Sequence, residues 1–175
     1  MTTVDLELSK GDWIVHNTHG LGQIIGLESK ELMGDKKIYY EVRTHTITYW
    51  LAVTESNSSR IRPVASTRTF NKALSIIASE PQPQDENYRK RLNDIRDRIQ
   101  DGSLLSKALL IRDLNARNVQ KDIHINERKI LDTLQQQFIN EWVLACHIKP
   151  DYAANEMRKA LKKSSANLKP KKPIF

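Results

Sequence analysis

The residues that could do chemistry in this chain are few, and none stands in a pattern that a reaction requires. His16 and His19 could place two imidazoles together across a turn, but no third ligand stands nearby at a metal-binding spacing. Gly20-Leu-Gly22 and Gly26 bear a superficial likeness to a phosphate loop. The spacing fits neither nucleotide fingerprint, however, and the flanking residues have the pattern of a strand. Cys146 is a single cysteine near the end of an amphipathic stretch, with no basic partner at a fixed local spacing to lower its pKa. A lone thiol also rules out an internal disulfide. No serine–histidine–acid order or carboxylate pair stands out, so the chain is expected to be no enzyme and to need neither metal nor cofactor.

Binding chemistry is better represented. Tyr39, Tyr40, Tyr49 and Trp50 cluster on two neighbouring strand-like runs, and exposed aromatics on a sheet face mark binding surfaces. Alternation across a strand sends the members of each pair to opposite faces, leaving Trp50 equally open to a core or a surface place. Basic residues come later, at Lys90, Arg91, Arg117, Arg128 and Lys129. The formal charge of +7 does not come from these regions. Residues 1–80 hold nine basic and nine acidic side chains, and residues 81–157 hold twelve of each. The whole excess lies in Arg158, Lys159, Lys162, Lys163, Lys169, Lys171 and Lys172, among which no acid occurs. Such a segment is either a solvated tail or a strand of phosphate contacts.

The elements that must position these groups change character once along the chain. Trp13–His16, Leu21–Leu27, Lys37–Arg43 and Thr46–Ala52 are rich in β-branched and aromatic residues and are separated by turn signals at 17–20, 33–35 and 44–45. They predict a small, bent antiparallel barrel over residues 1–65, with Gly20, Gly22 and Gly26 serving its turn and curvature. Beyond Arg62-Pro63 the periodicity becomes helical. Ser66 or Thr67 can cap a helix with Phe70, Ala73, Leu74 and Ile77 on one face. Residues 80–84, with Pro81 and Pro83, read as a linker.

A second helix over 85–100 ends at Gly102, and Ser103 caps a third whose face is Leu105, Ala108, Leu109 and Arg112, with Ile111 and Leu114 alongside. A fourth covers 126–147, and a fifth begins at Pro150. The fold class is therefore α+β: a β barrel, then an all-helical bundle over 66–163, then a disordered basic tail over 164–175. No apolar run reaches the roughly 18 residues a membrane span needs, and the first residues lack a secretory signal, so a cytoplasmic protein without membrane contact is expected.

Lys10-Gly11-Asp12-Trp13-Ile14-Val15-His16, with His19-Gly20-Leu21-Gly22 behind it, resembles the opening of the CarD family. So does the stretch from Glu28 to Gly34 with Lys37-Ile38-Tyr39-Tyr40 after it. The polymerase-interacting module of transcription-repair coupling factor shares that β region. The likeness continues through Asn87-Tyr88-Arg89-Lys90-Arg91, Gly102, Arg112-Asp113-Leu114, Arg117 and Asn126-Glu127-Arg128-Lys129, and covers roughly residues 9–163.

The resemblance implies a Tudor-like barrel that grips the β subunit of bacterial RNA polymerase through Lys30, Tyr49 and Trp50. It also implies a monomer whose helices lie against the upstream edge of melted promoter DNA, through Tyr88, Lys90, Arg91, Arg117, Arg128 and Lys129. Tyr88 stands where the family carries a wedging tryptophan, and Trp50 where relatives offer an arginine. The first turn of the fourth helix, with Arg128 and Lys129, would add backbone amides for a phosphate. The rival readings are an adaptor whose helices meet only protein, an aromatic-cage reader of a cationic ligand, and, last, an enzyme.

Overall fold

The computed structural model describes residues 8–32, 34–55 and 59–169 and divides the chain into two units, at Val64 and Ala65. The first unit is a five-stranded antiparallel sheet, built from β1 (Trp13–His16), β2 (Gly20–Leu32), β3 (Asp35–Arg43), β4 (Thr48–Ala52) and β5 (Ile61–Pro63). The strand order is β4-β3-β2-β1-β5. Alternation along these strands buries Ile14, Ile24, Tyr40, Val42, Leu51 and Ile61 together. Gly22 is needed there, because a Cβ at that position would meet Val42 Cγ1 at 2.7 Å. Register slips between Ile24 and Gly26, a bulge that increases the local twist of the long β2 strand.

β5 is the strand that sequence reading misses. It has three residues and ends in Pro63, tolerable only because the strand is an edge with β1 as its neighbour. The turn expected at 33–35 includes Met33, which lies outside the described residues.

The second unit has five helices: α1 (Thr67–Ile77), α2 (Tyr88–Asp101), α3 (Leu104–Val119), α4 (Ile125–Cys146) and α5 (Pro150–Ser164). Their ends obey local chemistry. Ser66, Asn87 and Ser103 accept backbone N–H groups as N-caps, Gly102 closes α2 in the left-handed region at φ 69°, and Pro150 opens α5. α3 packs against α1, α2, α4 and α5. It is therefore buried around most of its circumference, at Leu104, Ala108, Leu110, Ile111 and Leu114, and the single face expected for it is too narrow. Among the described residues no helix is long and apolar enough to cross a membrane.

Residues 80–86 do not behave as a free linker. Gln82 N donates to Asp113 Oδ1 at 3.0 Å, and Arg91 Nη1 donates to the carbonyls of Asp85 and Glu86, so this segment is tied to α3 and α2. Residues 164–169, expected to lie in the tail, are described. Ser164 is the last residue of α5 and its hydroxyl donates to Ser79 O at 2.7 Å. Leu168 N then donates to Ser165 O. Residues 170–175 lie outside the described residues.

Candidate functional site

On the outer face of the sheet, β2 and β4 flank β3 and bring Glu28, Lys30 and Trp50 together. Trp50 is 46% exposed. Its indole N–H donates to Glu28 Oε2 at 2.6 Å, and Lys30 Nζ lies 3.2 Å from the ring centroid, a cation–π contact. The same Glu28 oxygen pairs with Lys30 Nζ at 3.3 Å. The group is an aromatic platform held in place by one acid and one base.

Tyr49 is not part of it. Alternation along β4 sends its ring to the opposite face, where it meets His16 and His19 at centroid distances of 5.6 and 4.6 Å. Among the described residues the Tyr49 hydroxyl is buried without a hydrogen-bond partner, and burial pushes its pKa up to about 12. Tyr49 and Trp50 thus lie on opposite faces of β4. His16 Nδ1 accepts the backbone N–H groups of Thr18 and His19, which ties the ring to the turn. Burial first, then the neighbouring His19 and Arg60, lower the His16 pKa to about 4.

In the helical unit the start of α2 and the start of α4 meet at Tyr88. Its half-buried ring lies 4.6 Å from the His124 ring, and Asn126 Nδ2 donates to its hydroxyl at 3.4 Å. Lys90, Arg128 and Lys129 are exposed around it, as is Arg89.

Arg91 and Arg117 are not available in the same way. Arg91 is 4% exposed and its guanidinium pairs with Glu127, which is wholly buried. Arg117 is 8% exposed, and its Nη2 pairs with Asp122 Oδ2 at 3.1 Å. Each neutralises an acid and ties its helix to a neighbouring segment. The first turn of α4 is also occupied by the chain itself. Glu127 accepts from His124 N and the His124 side chain accepts from Asn126 N, so these end groups already have partners.

Sequence reasoning overlooked Glu28 and His124. Glu28 lies two residues before Lys30, hence on the same face of β2, a signal that alternation could have revealed. His124 comes next to Tyr88 only through tertiary packing.

A small antiparallel sheet and then a five-helix unit, each with an aromatic ring beside exposed or stacked cations, is the architecture of a two-module binding protein. Comparison with known proteins narrows the class. The family model described as CarD-like/TRCF RID domain matches residues 8–65, and that described as CarD, C-terminal domain matches residues 72–158. A relative from Bacillus subtilis (strain 168), named "Putative transcription factor YdeB", is 29% identical over 133 residues, which span 75% of this chain and 87% of that protein. The chain belongs to the CarD-like family of transcription factors.

Proposed function

We propose that this protein regulates bacterial transcription by holding the β subunit of RNA polymerase with its sheet and the upstream edge of the promoter bubble with its helices, thereby changing open-complex lifetime. The observation that carries the reading is Trp50, a large ring left 46% exposed yet held by Glu28 and Lys30. Preorganised aromatic side chains of this kind are the usual energetic centres of protein interfaces. For the DNA contact, the support is Tyr88 at the junction of α2 and α4, with Lys90, Arg128 and Lys129 exposed beside it. Cations position a phosphate backbone, and an aromatic ring can stack where bases are open.

The second reading, an adaptor whose helices meet protein alone, is favoured by the burial of Arg91 and Arg117, which removes two cations from the candidate DNA surface. One experiment separates the two: binding and open-complex lifetime on forked promoter DNA, with and without polymerase, for three variants. Trp50→Ala lowers polymerase affinity by about 2 kcal/mol, roughly thirtyfold, in a protein that remains folded. Tyr88→Trp lengthens and Tyr88→Ala shortens the open-complex lifetime several-fold, on stacking worth ~1–3 kcal/mol. Wild-type lifetimes for both Tyr88 variants, with polymerase binding intact, would favour the adaptor.

A further inference from the structure

The cationic excess of this chain has a defined place in the fold. α5 buries Ala153 and Met157 against the bundle, with Ala160 and Leu161 partly covered. The opposite side presents Tyr152, Asn155, Arg158, Lys159, Lys162 and Lys163 to solvent. Tyr152 is 54% exposed and lines an open groove of about 310 Å³ with Asn155, Glu156, Arg158, Lys159 and Lys162. Only Asp151 and Glu156 are acidic on this helix, and Glu156 pairs with Lys159 at 2.7 Å. Arg158 donates to Asn155 Oδ1. Arg158, Lys162, Lys163 and Lys169 are thus left without an acid among the described residues.

The path of this segment gives the charge a direction. The Ser164 hydroxyl is bonded to Ser79 O, and Leu168 lines a cavity of about 260 Å³ together with Gln82, Gln84 and Glu86. Glu86 lies two residues before Tyr88. Lys169 therefore comes directly after a residue anchored beside the segment that leads into α2. The C-terminal end of α5 and the residues after it thus lie against the segment that leads into α2.

We propose that Tyr152, Arg158, Lys162, Lys163 and Lys169 form a second nucleic-acid contact, an arm that tracks the phosphate backbone of duplex DNA without reading its sequence. It rests on the reading that the helical unit meets DNA, and extends that contact along α5. Point charges on flexible stems suit phosphates, whose neutralisation releases counterions whatever the bases. The exposed tyrosine adds an apolar, hydrogen-bonding ring at the far end of the row.

The test measures DNA affinity of the full chain by fluorescence anisotropy over a range of salt concentrations, on forked promoter DNA and on a scrambled duplex. The variant carries Arg158→Gln, Lys162→Gln, Lys163→Gln and Lys169→Gln, all exposed, the first three keeping the helix propensity of α5, and its melting curve is compared with wild type. The arm predicts that the log–log salt slope shrinks by roughly 3 to 4, since each neutralised phosphate contributes about 0.9, with equal losses on both DNAs.

An unchanged slope overturns the proposal. An unchanged slope with weaker polymerase binding also overturns it, and assigns the surface to an acidic protein partner instead. Tyr88→Ala in the same assay reports on the function proposed above: it removes the preference for forked DNA and leaves the slope intact. If Tyr88→Ala is silent and the glutamine variant still loses its slope, the arm stands and the fork reading falls.

Discussion

Arg91 serves three acceptors at once: the Glu127 carboxylate and the carbonyl oxygens of Asp85 and Glu86. Glu127 in turn caps the start of α4 through His124 N. A single guanidinium thus fastens the approach to α2 onto the first turn of α4, and so fixes the junction where Tyr88 sits. A planar fork with donors on three separate nitrogens can do this, whereas the three donors of a lysine ammonium all radiate from one nitrogen. Arg91→Ala would leave a carboxylate buried without its counter-charge. The expected cost is about 3–5 kcal/mol in chemical unfolding, against less than about 0.5 kcal/mol for the exposed neighbour Lys90→Ala. Arg91→Met combined with Glu127→Leu should recover much of the loss, because the unpaired charge is what costs. A mild effect of Arg91→Ala would mean that water reaches Glu127.

Among the elements, the β1–β2 turn couples stability to pH through His16. Its Nδ1 is occupied as an acceptor of two backbone N–H groups, so charging the ring would break both bonds. The folded chain keeps His16 neutral down to about pH 4, whereas an unfolded histidine takes up its proton near 6.5. Between those values the unfolded state binds more protons. The His16 contribution to stability is therefore complete above about pH 6.5 and lost as pH falls toward 4. Melting temperatures from pH 7.5 to 4 should fall more steeply for the wild type than for His16→Asn, and parallel curves would remove His16 as the cause.

The same elements show what could be read in advance. Ser66, Gly102, Ser103 and Pro150 act within one helical turn, so their roles were legible in the local sequence. α3 was not, because it has helices on several sides and buries Lys107, Arg112 and Arg117 with partners on other segments or at its own end. A charge that is satisfied through tertiary contact looks identical in sequence to one that faces solvent. For that reason Lys90, Arg128 and Lys129 emerged exposed, and Arg91 and Arg117 did not. Trp50 was undecided in sequence, and its neighbours Glu28 and Lys30 come from a strand two positions away in the sheet.

For the whole molecule, the position of α1 decides where the chain can be divided. The prolines at residues 80–84 read as a linker, but α1, which precedes them, belongs to the helical core. Phe70 is fully buried, lying edge-on to Phe138 at 5.4 Å and stacked on Trp142 at 6.2 Å. Ala73 and Ile77 are equally buried, and Ala65 N donates to the buried Glu141 carboxylate. Removing a buried phenylalanine alone typically costs about 3–5 kcal/mol, out of a total near roughly 5–15 kcal/mol for a domain. Losing Phe70, Ile77 and the remainder of α1 together should exceed the whole stability of the unit. A fragment covering residues 65–169 is therefore expected to melt cooperatively, with a sharp near-ultraviolet signal from Trp142. A fragment covering 80–169 should keep helical signal without that transition and should bind a dye for exposed apolar surface. Cooperative melting of the shorter fragment would show that α1 is dispensable.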